Sequence, residues 1–259
     1  MLRRLLDLIT NFLGWVKRNR IITPKGEVVR LNIGSGLSVV SGWINVDASL
    51  NAFFSKFPRF LLQMLYTLSD SKQWYSPEEY CDILRNHVFI NHNVEYGLPF
   101  PDQSVDYLYC SHLFDFLFPE DAHKLLREAH RVLKAGGALR ICVTALEYPL
   151  SLYSKGEAEQ ALGYFFPASK CGYLSRRRYM YDFDLLHRFL EEAGFADIER
   201  CTYRHGKTPD IEVLDNRPEE TMYVEAIKRP KASHLPIGEG EKAKKKETKI
   251  AYSEITDPG

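Results

Sequence analysis

The 259-residue sequence predicts an α/β fold: a doubly wound, mainly parallel sheet of seven strands with an antiparallel last strand and helices on both faces. Three observations carry this. Short β-branched runs alternate with segments of helical periodicity along most of the chain. The final two strand-like runs, "ADIERCTYR" and "TMYVEAIK", are joined by a polar loop over 206–220 with no helix between them, so they must pair antiparallel. Composition, 45% apolar and 26% charged, is that of a globular chain able to bury a core.

The elements follow in order. In "MLRRLLDLITNFLGWVKRNR" the residues Leu2, Leu5, Leu6, Ile9, Phe12, Leu13 and Val16 share one helical face, and Arg3, Arg4, Lys17, Arg18 and Arg20 against Asp7 make the segment basic. Residues 1–20 therefore form an amphipathic helix. It is expected to pack on its own domain; the alternative is peripheral contact with an anionic membrane, with Trp15 at the interface. "EVVRLNIG" and "WINVD" are the first two strands. Residues 50–90 read as helices broken at Pro58 and at "SDSKQWYSP", a helical insertion longer than a simple connection requires. "HVFINHNVEY" and "SVDYLYCSH" are strands, and "EDAHKLLREAHRVLKAGG" is a helix stopped by Lys134 and the Gly136-Gly137 pair. "ALRICVTAL" is the next strand. "DFDLLHRFLEEAGF" is a helix capped by Asp182 or Asp184, with Gly194 past its end. Residues 21–230 thus make one domain, and 231–259, rich in Lys, Glu, Gly and Pro, are expected to be a disordered charged tail.

Composition also excludes. Thirty-four basic residues balance thirty-four acidic ones, so no overall field holds a polyanion and no nucleic-acid partner is expected. Five scattered cysteines with no C-x-x-C pair fit a reducing compartment, hence a cytoplasmic protein. No apolar stretch approaches the roughly 20 residues needed to span a bilayer. The histidines show no metal-ligand spacing, and no metal is expected.

The segment "VRLNIGSGLSVVSGWINVDAS" places two glycines at the tip of one strand and Asp47 at the tip of the next. A dinucleotide site spaces its acidic residue about 20 positions on, because a full helix lies between the strands. Here Asp47 follows Gly36 by eleven residues, which leaves room for barely one helical turn and disfavours a pyrophosphate on a helix N-terminus. A cofactor without phosphates needs only close backbone approach and a carboxylate for two ribose hydroxyls.

Four blocks, "LNIGSG…GWINVDAS", "HNVEYGLPFPDQSVDYLYCSHLFDFL", "LREAHRVLKAGGALRICV" and "MYDFDLLHRFLEEAGF…LDNRPEETMYVEAIK", together resemble the class I S-adenosylmethionine-dependent methyltransferases over residues 28–228. Within them the chain resembles the methyltransferase type 11-like proteins, including an uncharacterised subgroup often linked to polysaccharide biosynthesis. The resemblance implies a Rossmann-like sheet and S-adenosyl-L-methionine as cofactor. It implies that Gly34, Ser35 and Gly36 line the amino-acid and ribose portions, that Asp47 holds the ribose diol, and that Asn93, Val94, Glu95 and Leu98 border the adenine. Asn32 stands where the family often carries an acidic residue facing the ammonium, and Asn93 where the subgroup often has Asp; Ser111 ends the fourth strand beside the reacting centre.

The methyl acceptor is expected beside "CSHLFDF". His112 is the candidate base, and Asp115 either orients it, holds the acceptor, or caps the helix starting near Pro119. Glu147 and the "RRRYMYD" run are expected to face the same crevice, with one of Arg176, Arg177 and Arg178 touching a sugar-containing or phosphorylated acceptor. The function so implied is methyl transfer to oxygen or nitrogen of a small-molecule or glycan-related acceptor. The alternatives are a non-catalytic binding or regulatory module of the same fold and, against the spacing, a nicotinamide-dependent oxidoreductase.

Overall fold

The computed structural model describes residues 2–166 and 176–230. Seven strands form one sheet in the order β3-β2-β1-β4-β5-β7-β6. They are β1 (Arg30–Ile33), β2 (Ile44–Asp47), β3 (Val88–Asn91), β4 (Val105–Ser111), β5 (Leu133–Thr144), β6 (Ala196–Cys201) and β7 (Thr221–Ile227). β1 to β5 pair parallel, and β7 lies antiparallel between β5 and β6; the connection between β6 and β7, expected to lack a helix, holds the single turn Ile211–Leu214, too short to carry the chain across the sheet to a parallel pairing. Strand order reverses between β1 and β4, so their carboxyl ends flank a crevice.

Alternation along the strands builds two different faces. Leu31, Ile33, Leu108, Cys110, Leu139, Ile141, Val143, Met222 and Val224 meet Leu125, Leu126 and Ala129 of α5 (Pro119–Val132) and Leu186, Phe189 and Leu190 of α8 (Phe183–Glu192) in the main core. Asp182 caps α8 by accepting the Leu185 N–H at 2.8 Å. α5 ends at Val132, earlier than the glycine pair suggested: Gly136 and Gly137 lie within β5, where a Cβ on Gly137 would stand 3.0 Å from the Asp106 carbonyl of the neighbouring strand.

The intervening strand positions, Asn32, Asn45, Tyr109, Arg140, Cys142, Tyr223 and Glu225, face the other way and are buried too. That face is covered by Trp43 from the β1–β2 loop and by Leu214 of α9 (Ile211–Leu214). Arg140, without exposure, places its five donors on five acceptors: Asp215 Oδ1 and Oδ2 (3.0 and 2.6 Å), Glu225 Oε1 (3.0 Å), and the carbonyls of Thr202 and His205 (3.2 Å each). This guanidinium ties the loop after β6 to the sheet.

Residues 34–43 join β1 to β2 with no helix, as the short spacing implied. The insertion holds α2 (Leu50–Phe54), α3 (Arg59–Leu68) and α4 (Pro77–Asn86), with a 3-10 turn at Asp70–Gln73. Ser76 and Glu79 start α4 with a reciprocal capping box, and Leu62, Tyr80, Cys81 and Leu84 form a separate apolar cluster with Leu37, Ala52 and Phe89. α6 (Glu147–Ser154) and α7 (Ala158–Phe165) follow β5.

α1 (Leu2–Lys17) corrects the expectation that its apolar face packs inward. Thr10 and Gly14 are buried, and Lys17 donates to Asn91 Oδ1 at 2.7 Å; Leu8, Phe12, Trp15 and Val16 are exposed. The helix touches the domain by a small and polar seam because Gly14 lets it approach Asn93 closely: a Cβ there would lie 3.1 Å from Asn93 Cβ. Among the described residues no helix is long and apolar enough to cross a membrane. The tail at 231–259 lies outside the described residues.

Replacing Arg140 by Ala would strand two buried carboxylates, and urea denaturation is expected to show a loss of about 3–5 kcal/mol. Burial raises the Glu225 carboxyl, but the Lys207 and Thr208 N–H groups and the Arg140 charge outweigh it and hold it below the ordinary value. Its stabilising contribution is therefore complete above the usual glutamate range and is lost as pH falls through that lowered value, which urea midpoints at descending pH will register.

Candidate functional site

At the switch point β1 ends in a bend where Gly34 (φ +65°) and Gly36 (φ +52°) adopt the left-handed conformation that glycine tolerates. Gly34 is pressed against Leu113, 2.9 Å from where its Cβ would be; the missing Cβ of Gly36 instead faces open space. Asp47, at the end of β2, turns toward this bend: Oδ2 accepts the Gly36 N–H at 2.9 Å and Oδ1 the Ser49 N–H at 2.7 Å. A carboxylate has about four lone-pair sites, so it keeps capacity for two hydroxyl donors.

The bend and Asp47 open on a cavity of about 320 Å³, bordered also by Asn93, Val94, Glu95, Leu113, Phe116 and Arg178. Asn93 fixes the rim, accepting the Glu95 N–H at 3.0 Å and donating to Glu95 Oε2 at 3.1 Å. The structure thus brings together Gly34, Gly36, Asp47, Asn93, Val94 and Glu95.

Four other expected cofactor residues do not border this cavity. Asn32 projects to the polar face of the sheet, where it donates to the Ser38 carbonyl (2.8 Å) and Asn45 Oδ1 (3.2 Å). Ser35 is buried within the bend, Leu98 belongs to the main core, and Ser111 sits half-buried at the end of β4. His92 was not foreseen: it lines the cavity with Nε2 at 3.0 Å from the Gly97 carbonyl. Burial, against the pull of that carbonyl and with help from Lys17 and Arg20, lowers its pKa and keeps the ring neutral.

A second cavity, also about 320 Å³, shares Phe116 with the first and is bordered by Tyr164, Phe166, Arg177, Arg217 and Glu220. Tyr164 donates a short hydrogen bond to Glu220 Oε2. Burial, then that bond, pushes the Tyr164 hydroxyl above the ordinary tyrosine range, so it remains a donor.

His112 and Asp115 lie beside these cavities and line neither. His112 is held in a left-handed conformation (φ +50°), its N–H on the Cys142 carbonyl at 2.7 Å, with Nε2 3.2 Å from Thr221 Oγ1 and Nδ1 3.6 Å from Asp115 Oδ2. Such strain in a non-glycine residue costs on the order of 1–3 kcal/mol and persists only where packing enforces it. Asp115, fully buried, accepts from the Thr144 hydroxyl at 2.9 Å and stands 4.0 Å from Arg177 Nε. It does not cap α5, whose N-cap is Phe118. Glu147 turns away to Arg200, 3.6 Å distant. The three arginines diverge: Arg176 is exposed, Arg177 borders the second cavity and Arg178 the first.

A family model described as a methyltransferase domain matches residues 66–141, from within α3 to within β5. Over that segment the chain is similar to a methyltransferase domain. No curated protein matches the sequence. Solved structures to which the chain is similar include a S-adenosylmethionine-dependent methyltransferase, possible histamine N-methyltransferase, from Thermotoga maritima (17% identity over 87% of this chain and 94% of that one, TM-score 0.46). Another is a S-adenosylmethionine-dependent methyltransferase from Archaeoglobus fulgidus (16%, 87% and 94%, TM-score 0.45). A third is the phosphoethanolamine N-methyltransferase 2 of Haemonchus contortus in complex with S-adenosyl-L-methionine (15%, 85% and 52%, TM-score 0.43).

S-adenosyl-L-methionine, the cofactor that the sequence resemblance implies, suits the first cavity: the open cradle at Gly36 and the spare acceptor sites of Asp47 match a ribose. Calorimetric titration is expected to show roughly tenfold to hundredfold weaker cofactor binding in Asp47→Ala, which removes charge-assisted hydrogen bonds. Gly36→Val, which fills the cradle at a positive φ, is expected to abolish it.

Proposed function

We propose that this protein is an S-adenosylmethionine-dependent methyltransferase acting on oxygen or nitrogen of a small-molecule or glycan-related acceptor bound in the second cavity. The observation that carries the reading is the shared wall: Phe116 borders both cavities, so a group in one lies next to a group in the other. The cofactor supplies an electrophilic methyl group; the protein must align a nucleophile with it and exclude water.

Arg177, Arg217 and the Tyr164 ring offer charge and a stacking surface to hydroxyl-rich or anionic acceptors. Arg177 is itself positioned, its Nη1 donating to the Tyr164 carbonyl at 3.0 Å and its Nη2 to Thr144 Oγ1 at 3.2 Å, with the Asp115 charge behind. The carboxylate that reaches the cavity is Glu220. His112 stands one residue behind it, through Thr221, and Asp115 holds Thr144 and Arg177 in place. We assign proton acceptance from the nucleophile to Glu220, with His112 assisting and Asp115 as a positioning residue. We further read the protein as cytoplasmic, meeting the membrane surface through residues 1–20.

Mass spectrometry of the purified protein should find S-adenosylmethionine or S-adenosylhomocysteine, and incubation with fractionated sugars and small metabolites should form S-adenosylhomocysteine. With the acceptor so found, Glu220→Gln is expected to lower kcat by about a hundredfold with cofactor affinity kept, and His112→Gln by less. Arg217→Ala, at an exposed position, is expected to raise the acceptor KM by about tenfold. Formation of S-adenosylhomocysteine that is unaffected by Glu220→Gln and Arg217→Ala together would place the acceptor elsewhere.

A further inference from the structure

The methyl-transfer reading leaves two helices unexplained. α1 turns Leu8, Phe12, Trp15 and Val16 to solvent, with the Phe12 and Trp15 rings stacked at 6.3 Å and the Arg18 guanidinium 4.3 Å from the Trp15 ring centroid. α3 does the same at helical spacing: Phe60 (68% exposed), Met64 (60%) and Leu68 (72%) form one outward stripe, followed by Trp74 at 80%. Its inward side, Leu62 with Leu65 and Tyr66, already supplies the cluster beneath, so the outer stripe adds nothing to folding.

The two stripes are linked through α2. Lys17 Nζ lies 4.6 Å from the Phe53 ring centroid, Phe53 is 6.3 Å from Phe57, and Phe57 leads through Pro58 into α3. Exposed apolar area of this extent, organised on helix faces, marks an interaction surface. Charge identifies the partner. The chain as a whole is neutral, yet residues 1–20 and 50–74 carry eight basic residues to two acidic ones. Arg20, Lys56 and Lys72 are exposed around the stripes, and Arg59, exposed as well, is paired with Asp82 of α4 at 3.0 Å. Amphipathic helices with aromatic and aliphatic outer faces and basic flanks are the interfacial pattern, in which each basic side chain near an anionic leaflet adds on the order of 1 kcal/mol.

We propose that α1 and α3 together dock the protein on an anionic lipid bilayer, with Phe12, Trp15, Phe60, Met64, Leu68 and Trp74 entering the headgroup boundary. Since Gly14 of α1 packs on Asn93 and Ser49 immediately precedes α2, the rim of the cofactor cavity lies next to this surface. The docking does not require the methyl-transfer reading, and its test uses no acceptor.

The full chain is sedimented with vesicles of equal parts phosphatidylglycerol and phosphatidylcholine, and with phosphatidylcholine alone. Association with the first and not the second is expected. It should weaken by roughly tenfold in Phe12→Ser with Trp15→Ser, and likewise in Phe60→Ser with Met64→Ser, since each pair removes its helix's apolar anchor. Calorimetric cofactor binding verifies that each variant is folded. Trp43 is buried, so the surface fluorescence comes from Trp15 and Trp74. Emission should shift to the blue on anionic vesicles in both Trp15→Phe and Trp74→Phe, showing that each helix inserts. No binding to anionic vesicles, binding unchanged in both double variants, or a blue shift from only one tryptophan would overturn the two-helix surface. So would a dimer in sedimentation velocity that the same variants dissociate, because a second copy would then be the occupant.

Discussion

One carboxylate organises the crevice. Asp47 takes the Gly36 and Ser49 N–H groups, and by doing so fixes the bend after β1 to the end of β2 and sets the start of the insertion. Two parallel strands ordinarily reach each other through a helix that stiffens the return path. Here residues 34–43 return without one, and the hydrogen bonds of Asp47 supply the rigidity at the point where the backbone must present itself to a ligand. The bend is bare at Gly36 and closed at Gly34, where Leu113 presses against it.

Behind that bend, the sheet separates two tasks. Its apolar face meets α5 and α8 and anchors the strands. Its polar face carries Asn32 paired with Asn45, and Arg140 with Asp215 and Glu225, and so holds the loops around β7 from which Thr221 and Glu220 are displayed. The second cavity is thus positioned from the polar face, the first from the strand ends.

Much of this was legible in the sequence, and what was not has physical causes. Alternating strand and helix signals sufficed for the sheet and its antiparallel ending, because periodicity reflects burial directly. The eleven-residue interval from Gly36 to Asp47 sufficed to deny a helix between β1 and β2. Arg140 and Asn32 were not legible as buried, since a charged or amide side chain in a strand reads as solvent-facing unless its distant partners are known. Glu220 escaped notice because it reaches the second cavity only through the return of β7 beside β5. α1 misled for a related reason: an amphipathic pattern shows that one face is apolar, and says nothing of which face the rest of the chain will meet. Gly14 and Thr10, small residues on the opposite side, were the available signal.

The contact between Gly14 and Asn93 joins that helix to the rim of the first cavity. Free energies of binding are reciprocal between linked sites. Whatever grips the outside of α1 and shifts it against Asn93 alters affinity in the cavity by some factor, and filling the cavity must alter the grip by that same factor. A surface attachment and a small-molecule site thereby become two readings of a single equilibrium.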